Sequence, residues 1–266
     1  MKYRPAALRE RRAVVTGASS GLGADFAREL AAYGCQPVLV ARRAERLKAL
    51  HQELADRFGV DAEVVIMDLG TPDSPRELYE QLSGDSRPVD VLINNAGYGA
   101  FGRFLDIPWE QERQMLELDM LSLTHLTKLF ARDTVARRFG LILQASSIGA
   151  FQPTPTYASY SAAKAYVLSL GEALHYELRG TGVTCTVLVP TIVATDFRAV
   201  AGQQTTLYQR LMMMDSPTVV RAGLRGLLDG RASVIPGRLN ALTALSTRLL
   251  PRQVAAAIAE RLMLVR

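Results

Sequence analysis

Short apolar runs rich in Val, Ile and Leu recur along the chain at Ala13–Thr16, Pro37–Ala41, Ala62–Met67, Val89–Ile93, Leu141–Ala145, Val183–Val189 and Ser233–Ile235. They do not alternate strictly with polar residues, as expected of parallel strands covered on both faces. Longer stretches with helical spacing lie between them: Gly21–Tyr33, Ala44–Phe58, Pro75–Leu82, Trp109–Val135 and Tyr157–Leu178. Strand–helix alternation of this kind predicts an α/β fold, a doubly wound parallel sheet with right-handed crossovers. No internal repeat, low-complexity tract or long Pro/Gly/Ser linker interrupts the pattern, so a single domain is expected.

Composition agrees with a packed core: 48% of the 266 residues are apolar and 21% are charged, which excludes disorder and a disulfide mini-scaffold. Cys35 and Cys185 lie far apart in apolar contexts and read as core residues of a reducing compartment. No apolar run approaches the roughly 18 residues of a spanning helix, and Met1–Arg12 lacks the apolar stretch of a secretory signal. A cytoplasmic protein is the expectation. The net charge of +5 gathers at the two ends. Lys2, Arg4, Arg9, Arg11 and Arg12 face only Glu10, and Arg238, Arg248, Arg252, Arg261 and Arg266 face only Glu260. Such ends are either solvated or drawn to an anionic surface, a lipid leaflet or an acidic carrier protein. Without a basic run interleaved with aromatics, nucleic acid is not an expected partner. His51, His125 and His175 have no metal-ligand spacing, and no metal is expected.

The first strand runs through Thr16-Gly17-Ala18-Ser19-Ser20-Gly21-Leu22-Gly23 directly into a helix. Glycines let backbone N–H groups approach an anion closely, and the helix N-terminus adds partial positive charge that suits a pyrophosphate. The second strand ends in Ala41-Arg42-Arg43, without the carboxylate that meets a free ribose 2′-OH. Two guanidiniums there favour a 2′-phosphate, hence NADP over NAD. Asp68-Leu69, after the third strand, is placed to bracket an adenine, although Asp at a strand end also serves as a turn former. The fourth strand runs into Asn94-Asn95-Ala96-Gly97, whose amides can tie strand ends together beside a ribose. Tyr160-Ser161-Ala162-Ala163-Lys164 sets a phenol and an ammonium on one helix face, 13 residues after Ser147. A nearby cation favours the phenolate of a tyrosine whose ordinary pKa is about 10.

In that order, these motifs resemble the short-chain dehydrogenase/reductase family over about residues 12–237. The resemblance implies a single-domain Rossmann-like fold with a seven-stranded parallel sheet. It also implies hydride transfer between a nicotinamide and a carbonyl or alcohol carbon, with Ser147, Tyr160 and Lys164 as the catalytic serine, tyrosine and lysine. Lys164 would also contact the nicotinamide ribose, and Pro190, the Val193 backbone and Thr195 would meet the nicotinamide end. Residues 1–237 would form the NADP-binding catalytic part, and 238–266 a basic amphipathic helical extension of the same domain, split at Pro251. The family's usual assembly is a dimer or tetramer through the Trp109–Val135 and Tyr157–Leu178 helices.

Two positions depart from the family pattern. Asp119 stands where the family has a catalytic Asn that binds a relay water, and Thr191 follows Pro190 where it has Gly. Asp119 is therefore a fourth candidate catalytic residue, keeping the backbone carbonyl but adding a carboxylate near Lys164. Segment 197–216, with Leu207, Tyr208, Leu211 and Met212–Met214, would form a lid. With Phe101, Phe104 and Phe151 near the mouth, it points to an apolar carbonyl or alcohol substrate. The extension's apolar stripe Val254, Ile258 and Leu262 would pack on the domain or a partner, or lie on a membrane interface. An alternative class is a nucleotide-binding scaffold or regulator that turns over weakly because of Asp119 and Thr191. A further alternative is an NAD-dependent alcohol dehydrogenase.

Overall fold

All seven apolar runs are strands: β1 (Arg12–Thr16), β2 (Gln36–Ala41), β3 (Glu63–Ile66), β4 (Val89–Asn94), β5 (Gly140–Ala145), β6 (Val183–Leu188) and β7 (Ser233–Val234). They come from a computed structural model that describes residues 5–84, 87–194 and 213–263. Every pairing is parallel, and the order across the sheet is β3-β2-β1-β4-β5-β6-β7. The order reverses between β1 and β4, which opens a crevice beyond the carboxyl ends of those strands.

Helices cover both faces: α1 (Gly21–Ala32), α2 (Ala44–Phe58), α3 (Ser74–Ser83), α4 (Trp109–Leu116), α5 (Leu123–Ala136), α6 (Ala158–Glu177), α7 (Ser216–Asp229), α8 (Arg238–Leu249) and α9 (Arg252–Met263). Neighbouring strand residues split between two cores, which explains the missing alternation. Val15, Leu39, Ile93, Leu143 and Leu188 pack with Phe26 and Leu30 of α1, Leu47 and Leu54 of α2, and Val220 and Leu224 of α7. Val14, Val38, Leu92 and Ile142 face the other way, toward Leu78 and Leu82 of α3 and Leu126 and Phe130 of α5.

Three differences from the sequence pattern have physical reasons. The expected Trp109–Val135 helix is α4 and α5 joined by a π turn, Glu117–Ser122, a wider turn that interrupts the 3.6-residue register without a proline or glycine to announce it. Helix α7 occupies a stretch not anticipated as helical. Its signals are nonetheless present: the Asp215 carboxylate accepts from the Thr218 N–H at 2.9 Å, Pro217 opens the first turn, and Gly230 closes the helix at φ 71°. The basic N-terminal end is partly consumed by structure. Arg12, only 4% exposed, pairs with Glu63 at 2.6 Å and donates to the carbonyls of Leu82 and Arg87. Arg11 pairs with Asp90 and covers the Phe139 ring. The break at Pro251 falls between α8 and α9 as expected.

Candidate active site

A cleft of about 650 Å³ fills the crevice at the switch point. The glycine loop forms one end of it. Gly17 takes φ 70°, and a Cβ there would come within 3.0 Å of the Ala96 Cα and the Asn95 amide. Gly23 does not line the cleft; a Cβ there would fall 2.2 Å from the Gly17 carbonyl oxygen, so it lets α1 press against the loop. Gly17, Ser19, Ser20, Gly21 and Leu22 all face the cleft. At the N-terminus of α1 the Ser20 hydroxyl caps no backbone N–H; Arg43 donates to it at 2.6 Å and to Ser19 at 2.8 Å. Arg42 lies 3.4 Å from Asp68, both well exposed, and both line the cleft with Leu69.

The two asparagines do tie strand ends. The Asn94 amide donates to Gln144 of β5 at 3.1 Å and to Thr127 of α5 at 2.9 Å. Asn95 donates to the Thr16 carbonyl at 3.0 Å, and the Thr16 hydroxyl accepts from the N–H groups of Asn95 and Ala96. These bonds set Asn95, Ala96 and Gly97 in the cleft wall beside the glycine loop.

Ser147, Tyr160 and Lys164 meet on the cleft floor. Ser147 follows β5 and begins a 3-10 turn, Ile148–Phe151, held by a hydrogen bond from the Ile148 N–H to the Pro190 carbonyl at 2.8 Å. Tyr160 and Lys164 share a face of α6, the ammonium lying 5.6 Å from the phenol ring centroid. Lys164 donates to the Ala145 carbonyl at 3.3 Å and pairs with Asp119 at 2.9 Å. Asp119 stands in the π turn behind the floor rather than on it, fully buried. Burial raises its proton affinity, and the adjacent ammonium opposes that. The expected lowering of the Tyr160 pKa is not found. Burial raises it, the Asp119 charge raises it further, and only the hydrogen bond with Ser147 pulls the other way.

Pro190, Thr191, Ile192 and Val193 line the cleft, whereas Thr195 and lid residues 197–212 lie outside the described residues. Val193 bridges to Met214. Phe101, Phe104 and Phe151 do not line the cleft; Phe101 backs it through Tyr157, with ring centroids 5.2 Å apart. The outer wall comes instead from the C-terminal helices, through Asn240, Thr243 and Thr247 of α8 and Ala259 and Leu262 of α9. Asn240 donates to the Thr191 hydroxyl at 2.8 Å and to the Pro236 carbonyl at 3.0 Å. Sequence reasoning missed Asn240; its one trace is a polar residue inside an apolar helical run. His51 and His175 contact the backbone carbonyls of Ala62 and Cys185.

The short chain dehydrogenase family model matches residues 11–206. An uncharacterized oxidoreductase of Myxococcus xanthus (strain DK1622) is 31% identical over 253 residues, 95% of this chain and 97% of its own length. A very-long-chain 3-oxoacyl-CoA reductase of Anas platyrhynchos is 32% identical over 69% of this chain, and the match spans 60% of that enzyme. Among solved structures, a short-chain dehydrogenase from Sphingobium yanoikuyae in complex with NADPH superposes with a TM-score of 0.80 at 32% identity, covering 90% of this chain and 94% of its own. A family match reaching from the first strand past the sixth, on a sheet of this order, makes the chain an oxidoreductase of the short-chain dehydrogenase family.

Proposed function

We propose that the chain is an NADP-dependent reductase of apolar carbonyl compounds, able to oxidise the matching alcohols. The observation that carries this reading is the cluster on the cleft floor. Tyr160 is hydrogen-bonded to Ser147 and lies beside Lys164, at the end of the cleft away from Arg42 and Arg43. The residues present fit the cofactor: Gly17 leaves backbone room for a pyrophosphate, β2 ends without a carboxylate, and Arg43 gathers with the hydroxyls of Ser19 and Ser20 as a phosphate site would require.

The glycine loop and α1 would hold the pyrophosphate, Arg42 and Arg43 the 2′-phosphate, and Asp68 and Leu69 the adenine. Asn95–Gly97, Pro190 and Val193 would hold the nicotinamide end, with Thr195 assigned by the family match alone. When bound, the cofactor supplies the hydride. Ser147 donates a hydrogen bond to the substrate oxygen, Tyr160 gives that oxygen its proton, and Lys164 orients the ribose while Asp119 holds Lys164. Ile148, Tyr157, Ile192 and Leu262 supply an apolar lining, and the relative named for 3-oxoacyl-CoA reduction is consistent with it.

In the same reading residues 1–237 carry cofactor and chemistry, 238–266 extend that unit, and the free, buried Cys35 and Cys185 fit a cytoplasmic protein. No described helix is long and apolar enough to cross a membrane. A homodimer or homotetramer through α4, α5 and α6 would cover Trp109 and Tyr176, both now exposed. The exposed Leu239, Leu242, Val254 and Ile258 beside basic residues fit peripheral contact with an anionic lipid surface.

The test is NADPH consumption against lipophilic ketones and acyl thioesters. Tyr160→Phe is expected to lower kcat by at least about 100-fold while leaving NADPH affinity within about two-fold. A fully active Tyr160→Phe protein overturns the proton-donor role, and a preference for NADH overturns the cofactor assignment.

A further inference from the structure

Asp119 is a buried carboxylate whose surroundings can be stated atom by atom. Its side chain is 0% exposed, Oδ1 accepts from the Tyr98 N–H at 3.2 Å, and Oδ2 lies 2.9 Å from Lys164 Nζ. The chamber is tight: a Cβ on Gly97 would come within 2.6 Å of Oδ1 and 3.1 Å of Nζ. Lys164 is itself only 5% exposed. An asparagine of the same shape has a single acceptor oxygen, so it would keep either the Tyr98 contact or the ammonium contact and turn its NH2 toward the other. The larger difference is charge. With Asp the pair is neutral, and with Asn the floor would carry one uncompensated positive charge beside Tyr160.

The other described charges around this point are accounted for. Glu112 of α4 is buried and accepts from the Ser159 hydroxyl, while Glu110 and Arg113 of the same helix pair with each other. Asp68 and Arg42 pair near Tyr98, and Glu117 belongs to the π turn that carries Asp119. Strands β5 and β6 and the 3-10 turn after Ser147 contain no charged residue. On α6, Glu172 and His175 lie two turns or more beyond Lys164, and Glu172 accepts from Ser233.

We infer that Asp119 is a positioning residue that sets the protonation of the floor: by neutralising Lys164, it keeps Tyr160 a phenol throughout the neutral range. This rests on the reading of Tyr160 as the proton donor. The limb of the pH profile that reports phenol ionisation then lies well above neutral. Both directions share it, with reduction level below the midpoint and alcohol oxidation still climbing with pH. Removing one charge this close, at the effective dielectric of a protein site, moves such a midpoint by about 1–2 pH units.

The experiment is an NMR titration of the cofactor-free protein labelled at tyrosine ¹³Cζ, with the Tyr160 signal assigned by its loss in Tyr160→Phe. The wild-type midpoint is expected above the ordinary tyrosine value of about 10. Asp119→Asn should lower it by about 1–2 units, and Asp119→Asn/Lys164→Met, neutral again, should bring it back up. A wild-type midpoint at or below the ordinary value, or an Asp119→Asn midpoint that does not move, overturns the inference. If Asp119→Asn does not fold by circular dichroism, the wild-type midpoint and Lys164→Met decide alone, since Lys164→Met leaves Asp119 unopposed and should raise the midpoint further. With an active substrate, the pH profile of NADPH consumption should shift in parallel. Failure to find any substrate would count against the reductase reading and leave the titration standing.

Discussion

Asn240 reaches 49 positions back along the chain to the Thr191 hydroxyl and is 5% exposed. Thr191 takes the place of a family glycine, and the side chain that this adds anchors α8. Asn240→Ala should cost about 1–2 kcal/mol in urea denaturation. It should also raise KM for an apolar carbonyl several-fold with kcat and NADPH affinity little changed, because it loosens a wall and not the floor. A double-mutant cycle with Thr191→Val should show coupling, since the two share one bond. Pairs of this kind are not legible in sequence. The phenol and ammonium of Tyr160 and Lys164 are one helical turn apart and the glycine loop is contiguous, so local spacing exposes both. The Thr191–Asn240 bond and the Asp119–Lys164 pair depend on tertiary approach. The direction of the Tyr160 shift is hidden for a related reason: the family resemblance sets a carboxylate near Lys164, but only the fold shows the burial that, first of all, raises the phenol.

Helix α6 carries Tyr160 and Lys164 near its start and meets the sheet at Gly171. A Cβ on Gly171 would fall 2.3 Å from Val187 Cγ2 of β6, while Gln144 of β5 lies on the same side. Gly171→Ala gains up to about 1 kcal/mol in helix propensity, yet overpacking of about 1–3 kcal/mol should prevail. A net loss of stability and a fall in turnover are expected, because α6 must lift and carry Tyr160 away from Ser147. Thermal melts and NADPH consumption check both, and Val187→Ala in the same protein should restore them. At this scale the sequence was informative where the hydrophobic period was unbroken, as in α2. It was silent where the period slips without a helix breaker, as at Glu117–Ser122. The cap signals of α7 are present, but its segment begins where the expected lid ends and carries no helix expectation of its own.

Across the whole molecule, the sheet was the most legible feature, because strands buried on both faces leave continuous apolar runs. Charge was less legible, since a count of arginines says nothing of what each one meets. Arg12 joins the start of β1 to Glu63 of β3 and to carbonyls at the end of α3 and the approach to β4. Arg12→Met should therefore lower global stability by about 2–3 kcal/mol, measured by urea denaturation, where a solvated cation would give almost no change.

The outer wall of the cleft is built after the last strand, by α8 and α9, while the floor is built before it. One side of the cleft thus comes from helices that follow every strand of the sheet, separated in sequence from the residues of the floor and joined to them only through space. Asn240 is the clasp of that closure: one amide holds the late helices against the strand-end wall, so whatever loosens it opens the cleft from outside and leaves the floor in place.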